Sequence, residues 1–257
     1  MTALVDYARR GLPLADVPVL DAHAHVGRMP NQAACPLEAQ GEEMDRLGID
    51  AAAISGELAL TGEFERGNDE VADAIRRYPG RFYGYCHVSG NYPELIGPEL
   101  ERCFAMERFR GIKVYQVGCR FDDPAFEPAW EFAAARSAPV LAHTWAGDLT
   151  GLDTAAERHP QVNFMTAHAG SGLAYRSYLA VAERLPNVYL DLTYSREHTN
   201  MIEHFVERLG PDRIVWGSDA PCFSMSHQLG KILFARIPDE AKRKIIHHTA
   251  ARLLGVE

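Results

Sequence analysis

The sequence predicts an α/β protein: a single (β/α)8 TIM barrel with an extra C-terminal helix. Three observations carry this. Short β-rich apolar runs alternate with longer charged segments of helical periodicity along all 257 residues. There are eight such runs, and alternation of this kind implies parallel strands joined by right-handed crossovers. Eight units close into a barrel, for which roughly 250 residues is an ordinary length. The turn after the first run reads His-Ala-His-Val-Gly, not the GxGxxG phosphate turn common in the competing open sheet.

The expected strands are 19–25, 51–55, 82–88, 111–115, 140–144, 163–168, 188–193 and 213–218. Between them lie helices at 36–47, 68–78, 93–107, 124–137, 151–159, 171–185 and 196–209, followed by two more at 227–235 and 238–254. Pro36, Pro93, Pro124 and Pro238 stand where a first helical turn tolerates a missing N–H. Arg77-Tyr78-Pro79-Gly80 and Leu209-Gly210-Pro211 stop a helix before the next strand. No Ser/Gly-rich linker, low-complexity stretch or internal repeat divides the chain, so one domain over 1–257 is expected.

Composition sets the outer bounds. Apolar residues make up 47% and charged residues 24%, enough apolar material to fill a core. Lys and Arg number 26 against 35 Asp and Glu, a formal net charge of −9, which argues against nucleic acid or an anionic membrane as a partner. No apolar run approaches the roughly 20 residues of a membrane span. The opening MTALVDYARR has no apolar h-region, and the 5 cysteines are scattered without a CxxC pair. A reduced cytoplasmic chain with free thiols is the simple reading, acting on a small molecule. Association into a homo-oligomer is compatible with a barrel.

In a barrel the chemistry sits at the C-terminal ends of the strands. The first strand ends in Asp21-Ala22-His23-Ala24-His25, the fifth at His143, the sixth at His168 and the eighth at Asp219. Strand residues two apart share a face, so His23 and His25 both point inward, with Asp21 one step deeper. Neutral imidazoles plus a carboxylate suit Zn²⁺, and Fe²⁺ or Mn²⁺ are compatible. An HxH pair alone, His143 alone, or Asp219 in a Ser-Asp-Ala-Pro turn would each have an ordinary structural explanation. Strand-end position, inward parity and ligand chemistry coincide across the set, and that points to a metal. Spacing alone does not say which histidine is not a ligand.

Lys113 shares a strand face with Gly111 and Tyr115, opposite Ile112 and Val114, so it falls inside the barrel. A buried lysine needs a partner or a modification. The favoured reading is an ammonium that pairs with a carboxylate such as Asp191 or binds an anionic substrate. The other is a carboxylated lysine bridging two metals. Tyr115, Arg120 and Trp145 follow the ends of strands four and five, where loops could aim them at substrate. Arginines near the mouth would suit a carboxylate. His87 at the end of the third strand reads as a buried hydrogen-bonded histidine. Cys222 near Asp219 lacks an evident base, which makes a thiol nucleophile a weak idea.

These landmarks, DAHAH, RGIKV, PVLAHTW, FMTAHAG, RIVWGSDAP and the closing HHTAARLLGVE, resemble the amidohydrolase superfamily, in particular the amidohydrolase-related group that includes relatives of aminocarboxymuconate-semialdehyde decarboxylase. The resemblance spans nearly the whole chain. Thr249 stands where that group usually has Asn. The resemblance implies that His23, His25 and His143 are metal ligands, that Asp219 is a metal-associated carboxylate and general base, and that His168 is an acid/base or polarising group.

The expected activity is hydrolysis of a small carboxylate-bearing or cyclic substrate, a lactone or amide, through water activated by one divalent ion, most simply Zn²⁺. A metal-dependent decarboxylase or hydratase is the alternative from the same constellation. Related decarboxylases tend to be longer, which leans toward hydrolysis. A non-catalytic barrel scaffold is the remaining reading, and the presence of every ligand argues against it.

Overall fold

The computed structural model describes residues 3–28, 36–145, 147–171, 174–193 and 199–256. Eight strands lie in sequential order in one sheet that curls into a nearly closed barrel: β1 (Leu20–Val26), β2 (Ala51–Gly56), β3 (Phe82–Val88), β4 (Phe109–Tyr115), β5 (Val140–His143), β6 (Phe164–Thr166), β7 (Val188–Asp191) and β8 (Ile214–Val215). Each neighbouring pair from β1–β2 to β7–β8 is parallel. Single backbone hydrogen bonds stitch the seam between β8 and β1. The Ala22 N–H donates to Trp216 O (3.0 Å), the Asp219 N–H to His23 O (2.8 Å) and the His25 N–H to Ala220 O (2.6 Å).

The helices are α1 (Leu4–Arg10), α2 (Leu37–Leu47), α3 (Phe64–Arg77), α4 (Pro93–Phe104), α5 (Glu127–Arg136), α6 (Leu152–Arg158), α7 (Tyr175–Arg184), α8 (Met201–Leu209), α9 (Met225–Phe234), α10 (Asp239–Arg243) and α11 (Thr249–Leu254). A π turn over Lys244–His248 joins the last two into one helical run, the expected C-terminal helix. Among the described residues no helix is long and apolar enough to cross a membrane. Cys86, Cys103, Cys119 and Cys222 are free thiols. Cys35, Arg196 and His198 lie outside the described residues, as do 172–173 of the helix expected from 171.

Several boundaries differ from expectation: β6 ends at Thr166 rather than 168, β7 at Asp191 rather than 193, and α4 at Phe104 rather than 107, while β4 begins at Phe109 rather than 111. Helix α1 was not foreseen: it is 7 residues long and buries Leu4, too short for a periodic signal. Asp239 Oδ2 accepts the Leu4 N–H (2.9 Å) and ties α1 to α10. Helix α3 begins at Phe64 rather than 68, after a 3-10 turn over Glu57–Thr61. Strand β8 ends at Val215 rather than 218, because the Trp216 N–H turns to Ile245 O (3.1 Å) and leaves the ladder.

The core has two layers, as side-chain alternation requires. Ile54, Val88, Ile112, Val114, Ala142, Leu190 and Trp216 face outward and pack with helix residues such as Ile75, Leu100, Trp130 and Phe205. Leu20, Ala22, Ala53, Tyr85, Leu141, Met165, Tyr189 and Val215 face inward, joined by Ala250, Ala251, Leu253 and Leu254 of α11. Small alanines leave room for Tyr85, whose hydroxyl donates to Ala22 O (2.9 Å). The same ring explains Gly111 in RGIKV, where a Cβ would come 2.5 Å from Tyr85 Cε1. Lys113 is fully buried and inside, as its parity predicted.

Candidate metal centre

The barrel seam brings His23, His25 and Asp219 together. His25 Nε2 lies 3.0 Å from Asp219 Oδ1 and His23 Nε2 lies 3.5 Å from the same oxygen. Donors each about 2.1 Å from one ion can be at most about 4.2 Å apart, so both spacings suit a common cation. All three residues are buried. Gly217 makes the approach of β8 to β1 possible, since a Cβ there would lie 2.5 Å from His23 Cβ.

Each imidazole is held from behind. His23 Nδ1 is 2.7 Å from Asp191 Oδ2, which orients the ring and keeps Nε2 toward the centre. Asp191 Oδ1 in turn accepts from the Thr193 N–H (2.9 Å) and hydroxyl (2.6 Å). His25 Nδ1 lies 3.0 Å from Ser55 Oγ and 3.6 Å from Glu57 Oε1. Asp21, one step deeper than His23, does not face the cluster freely: its Oδ1 accepts the His23 (3.1 Å) and Ser218 (2.9 Å) N–H groups.

His143 and His168 form an adjoining pair. His168 Nε2 is 3.3 Å from His143 Nδ1, and its Nδ1 is 3.2 Å from Thr193 O. The His168 ring is 5.3 Å from that of His23. Thus three of the four expected ligands converge directly, while His143 reaches the group beside His168. His168 and Asp219 both sit past the end of a paired strand with left-handed backbone (φ 63° and 60°), a conformation that non-glycine residues seldom adopt. Such placement is common where a side chain is aimed at a site.

Burial shapes the charges. It holds His23 well below the usual imidazole value, with the Lys113 ammonium adding to the effect. It does the same for His143, next to His168, and lowers His168. These rings are neutral at pH 7 and offer lone pairs. Burial alone would raise the Asp219 carboxyl, but the His25 hydrogen bond and the surrounding imidazoles outweigh it and hold Asp219 below its ordinary value. For His25, burial is outweighed by Glu57 and Asp219, and its value rises. Burial pushes Asp21 up to about 7 and raises Asp191. Glu57 Oε2 and Asp21 Oδ2 are buried without a hydrogen-bond partner among the described residues. An ionised carboxylate among imidazoles, with further buried carboxylates behind, fits a divalent cation.

Lys113 Nζ lies 2.9 Å from His23 Nε2, and burial lowers it to about 8. The expected partner Asp191 bonds His23 instead, and reaches Lys113 only through its field. Tyr115 packs against His143 with ring centroids 4.1 Å apart and the planes tilted by 32°. Trp145 is 43% exposed on the rim, its ring 5.4 Å from that of His168. Arg120 does not join them: it is exposed and its guanidinium is held by Asp122 (2.9 and 3.2 Å). Arg120 and Asp122 are only two residues apart, and that local pairing wins over a reach into the mouth. Glu57 went unnoticed in the sequence, although a carboxylate just past the end of β2 obeys the rule that singled out the histidines. Cys222 Sγ lies 3.5 Å from Glu57 Oε1.

A (β/α)8 barrel whose first and last strands present two imidazoles and a carboxylate to one point defines a class of metal-dependent barrel proteins. The chain belongs to the amidohydrolase family, whose model matches residues 20–256. This is the family its landmark motifs resemble. A curated relative, the gamma-resorcylate decarboxylase of Polaromonas sp., is 23% identical over 271 residues, covering 81% of this chain and 82% of that protein. The crystal structure of 2,6-dihydroxybenzoate decarboxylase complexed with 2,6-dihydroxybenzoate superposes with a TM-score of 0.76 at 18% identity, over 93% of this chain and 98% of that one. The dihydroxybenzoic acid decarboxylase of Polaromonas sp., with bound manganese and the inhibitor 2-nitroresorcinol, gives a TM-score of 0.74 at 19% identity, over 93% and 97% of the two chains. At these identities the solved structures speak for the fold.

Proposed function

We propose that this protein is a metal-dependent decarboxylase of a small hydroxylated aromatic acid, with Mn²⁺ favoured over the Zn²⁺ that donor types alone suggested. The observation that carries it is the placement of Asp219 against both His23 and His25, with the rings of Tyr115 and Trp145 packed against the adjoining His143 and His168. The decarboxylases named above support this reading over hydrolysis, and one of them holds manganese. Chain length does not favour hydrolysis, since the match already spans 82% of the curated relative.

In this reading His23, His25 and Asp219 hold the cation, with His143 completing the set. When bound, the cation supplies a Lewis acid that draws electron density from the substrate's carboxylate and neighbouring hydroxyl. Tyr115 and Trp145 flank the planar ring. Asp219, held ionised, takes the proton of the phenolic hydroxyl and returns it to the ring carbon that bears the carboxylate. The bond from that carbon to the carboxylate then breaks, its electron pair restores the aromatic ring, and carbon dioxide leaves. His168, neutral and anchored on the Thr193 carbonyl, hydrogen-bonds the substrate oxygen and steadies the developing charge. Lys113 balances the negative charge of Asp219, Asp191 and Glu57.

The test is turnover by Mn²⁺-loaded protein of 2,6-dihydroxybenzoate and other 2-hydroxybenzoates, set beside a panel of lactones. Carbon dioxide and the matching phenol are the expected products. Lactone opening without carbon dioxide release would return the hydrolase reading. Silence toward both panels would leave the scaffold reading.

A further inference from the structure

A cavity opens beside the metal centre, over the ends of β2, β3 and β4, with a volume of about 210 Å³. An engineered cavity of about 150 Å³ in another protein accommodates benzene, so this space is ring-sized. Its walls include Leu60, Thr61, Asn91, Tyr115 and Val117, and His87 forms part of its lining. Tyr115 is the wall it shares with the metal centre, through its ring contact with His143.

His87 is the unusual member. It is 2% exposed, and its Nδ1 has no hydrogen-bond partner among the described residues. The expectation of a hydrogen-bonded core histidine is not met at this nitrogen. A buried imidazole nitrogen without a partner is unfavourable unless something bonds it. The position is rigid, because Asn68 clamps the His87 backbone from both sides: Oδ1 accepts its N–H (2.8 Å) and Nδ2 donates to its carbonyl (3.0 Å). In the β3–β4 register His87 sits opposite Lys113, which places both on the inward face. Burial, and then the Lys113 charge, lower its value to about 3, so the ring is neutral and can accept or donate one hydrogen bond. A ring-sized space with mixed polar and apolar walls, in which His87 is the one buried polar side chain among the lining residues, has the make-up of a ligand subsite.

We infer that this cavity receives the edge of the substrate ring remote from the reacting carboxylate, and that His87 selects substrates carrying a hydroxyl on that edge. The inference rests on the aromatic-acid reading and adds the substituent that the site prefers. His87 is a specificity residue here and takes no part in breaking the bond to the carboxylate.

The experiment has two arms on Mn²⁺-loaded protein. In the first, phenol and resorcinol, which carry no carboxylate and undergo no decarboxylation, are titrated calorimetrically into wild type, His87→Phe and His87→Gln. Resorcinol should bind wild type about tenfold more tightly than phenol, the worth of one well-placed hydrogen bond. The preference should vanish in His87→Phe and persist in His87→Gln, which retains a hydrogen-bonding group. Val117→Trp, a rim substitution that fills the cavity, should abolish the preference without touching His87 and serves if His87→Phe does not fold. Equal binding of the two phenols by wild type, or a preference that survives both His87→Phe and Val117→Trp, overturns the inference. In the second arm, 2-hydroxybenzoate is compared with its 3-, 4- and 5-hydroxy derivatives. A derivative favoured by wild type should lose its advantage in KM in His87→Phe while the parent acid's kcat stays within about threefold, whereas no derivative losing its advantage overturns the inference. If no acid is turned over, the decarboxylase reading fails, while the phenol titration still decides the role of His87.

Discussion

His23 Nδ1 and Asp191 Oδ2 meet at 2.7 Å in the fully buried barrel interior, joining β1 to β7. Asp191 is itself fixed by Thr193, so the imidazole is aimed by a chain of hydrogen bonds that starts on the protein backbone. Asp191→Asn is expected to weaken divalent metal binding by about 10- to 100-fold, the usual cost of losing such a partner. Competition with a chromophoric chelator measures it. Wild-type affinity in the variant would remove Asp191 from the metal's support.

Asp219→Asn is expected to keep the fold and to lose turnover by a factor on the order of 10²–10⁴, the scale of a lost acid–base group. Circular dichroism checks the fold, and single-turnover carbon dioxide release checks the chemistry. A metal-loaded variant with near wild-type kcat shows that Asp219 does not carry the proton.

Chelation should abolish activity and lower thermal stability together, because the cation binds only the folded site. At a free metal concentration 100 times Kd the stabilisation is about 2.7 kcal/mol. Scanning calorimetry with and without Mn²⁺ measures the shift, and Mn²⁺ should restore activity better than Zn²⁺. An unchanged midpoint at saturating metal counts against the proposed centre.

Gly217→Ala places a methyl group 2.3 Å from Thr193 Oγ1 and 2.5 Å from His23 Cβ. Either β8 or His23 must move. A loss on the order of 2–4 kcal/mol in denaturant stability is expected, with weaker metal binding alongside it. A stable variant with intact metal affinity would show that the seam can yield.

His87 adds a pH dependence of known sign. Its ordinary value is 6.5 and burial lowers it to about 3. Above pH 6.5 both folded and unfolded chains hold it neutral, and its contribution to stability is complete. As pH falls from 6.5 toward 3, the unfolded chain takes up a proton that the folded chain refuses, so stability is lost by at most about 1.4 kcal/mol per pH unit. The difference between wild-type and His87→Phe unfolding free energies should therefore narrow in favour of the variant across that window. A pH-independent difference counts against a neutral buried ring.

The barrel was legible because its strands are short apolar runs bounded by proline and glycine stops, and because alternation fixes topology. Inward parity placed His23, His25 and Lys113 correctly, since a period of two leaves little freedom. What could not be read depends on non-local geometry. No local signal shows that Asp191 would bond His23 rather than Lys113, since both lie on the inner face. The left-handed backbone at His168 and Asp219, past the ends of β6 and β8, answers to neighbours far along the chain. Arg120 was misjudged for the opposite reason: a carboxylate two residues away captures it.

The closure between β1 and β8 also sets an order of events. His23 and Asp219 are separated by about three quarters of the chain, yet the Asp219 N–H bonds the His23 carbonyl. Contacts of such high sequence separation carry a large loop-closure cost and tend to form late in folding. A polypeptide still emerging during synthesis therefore cannot capture its ion prematurely, for the docking arm arrives only with the final strand.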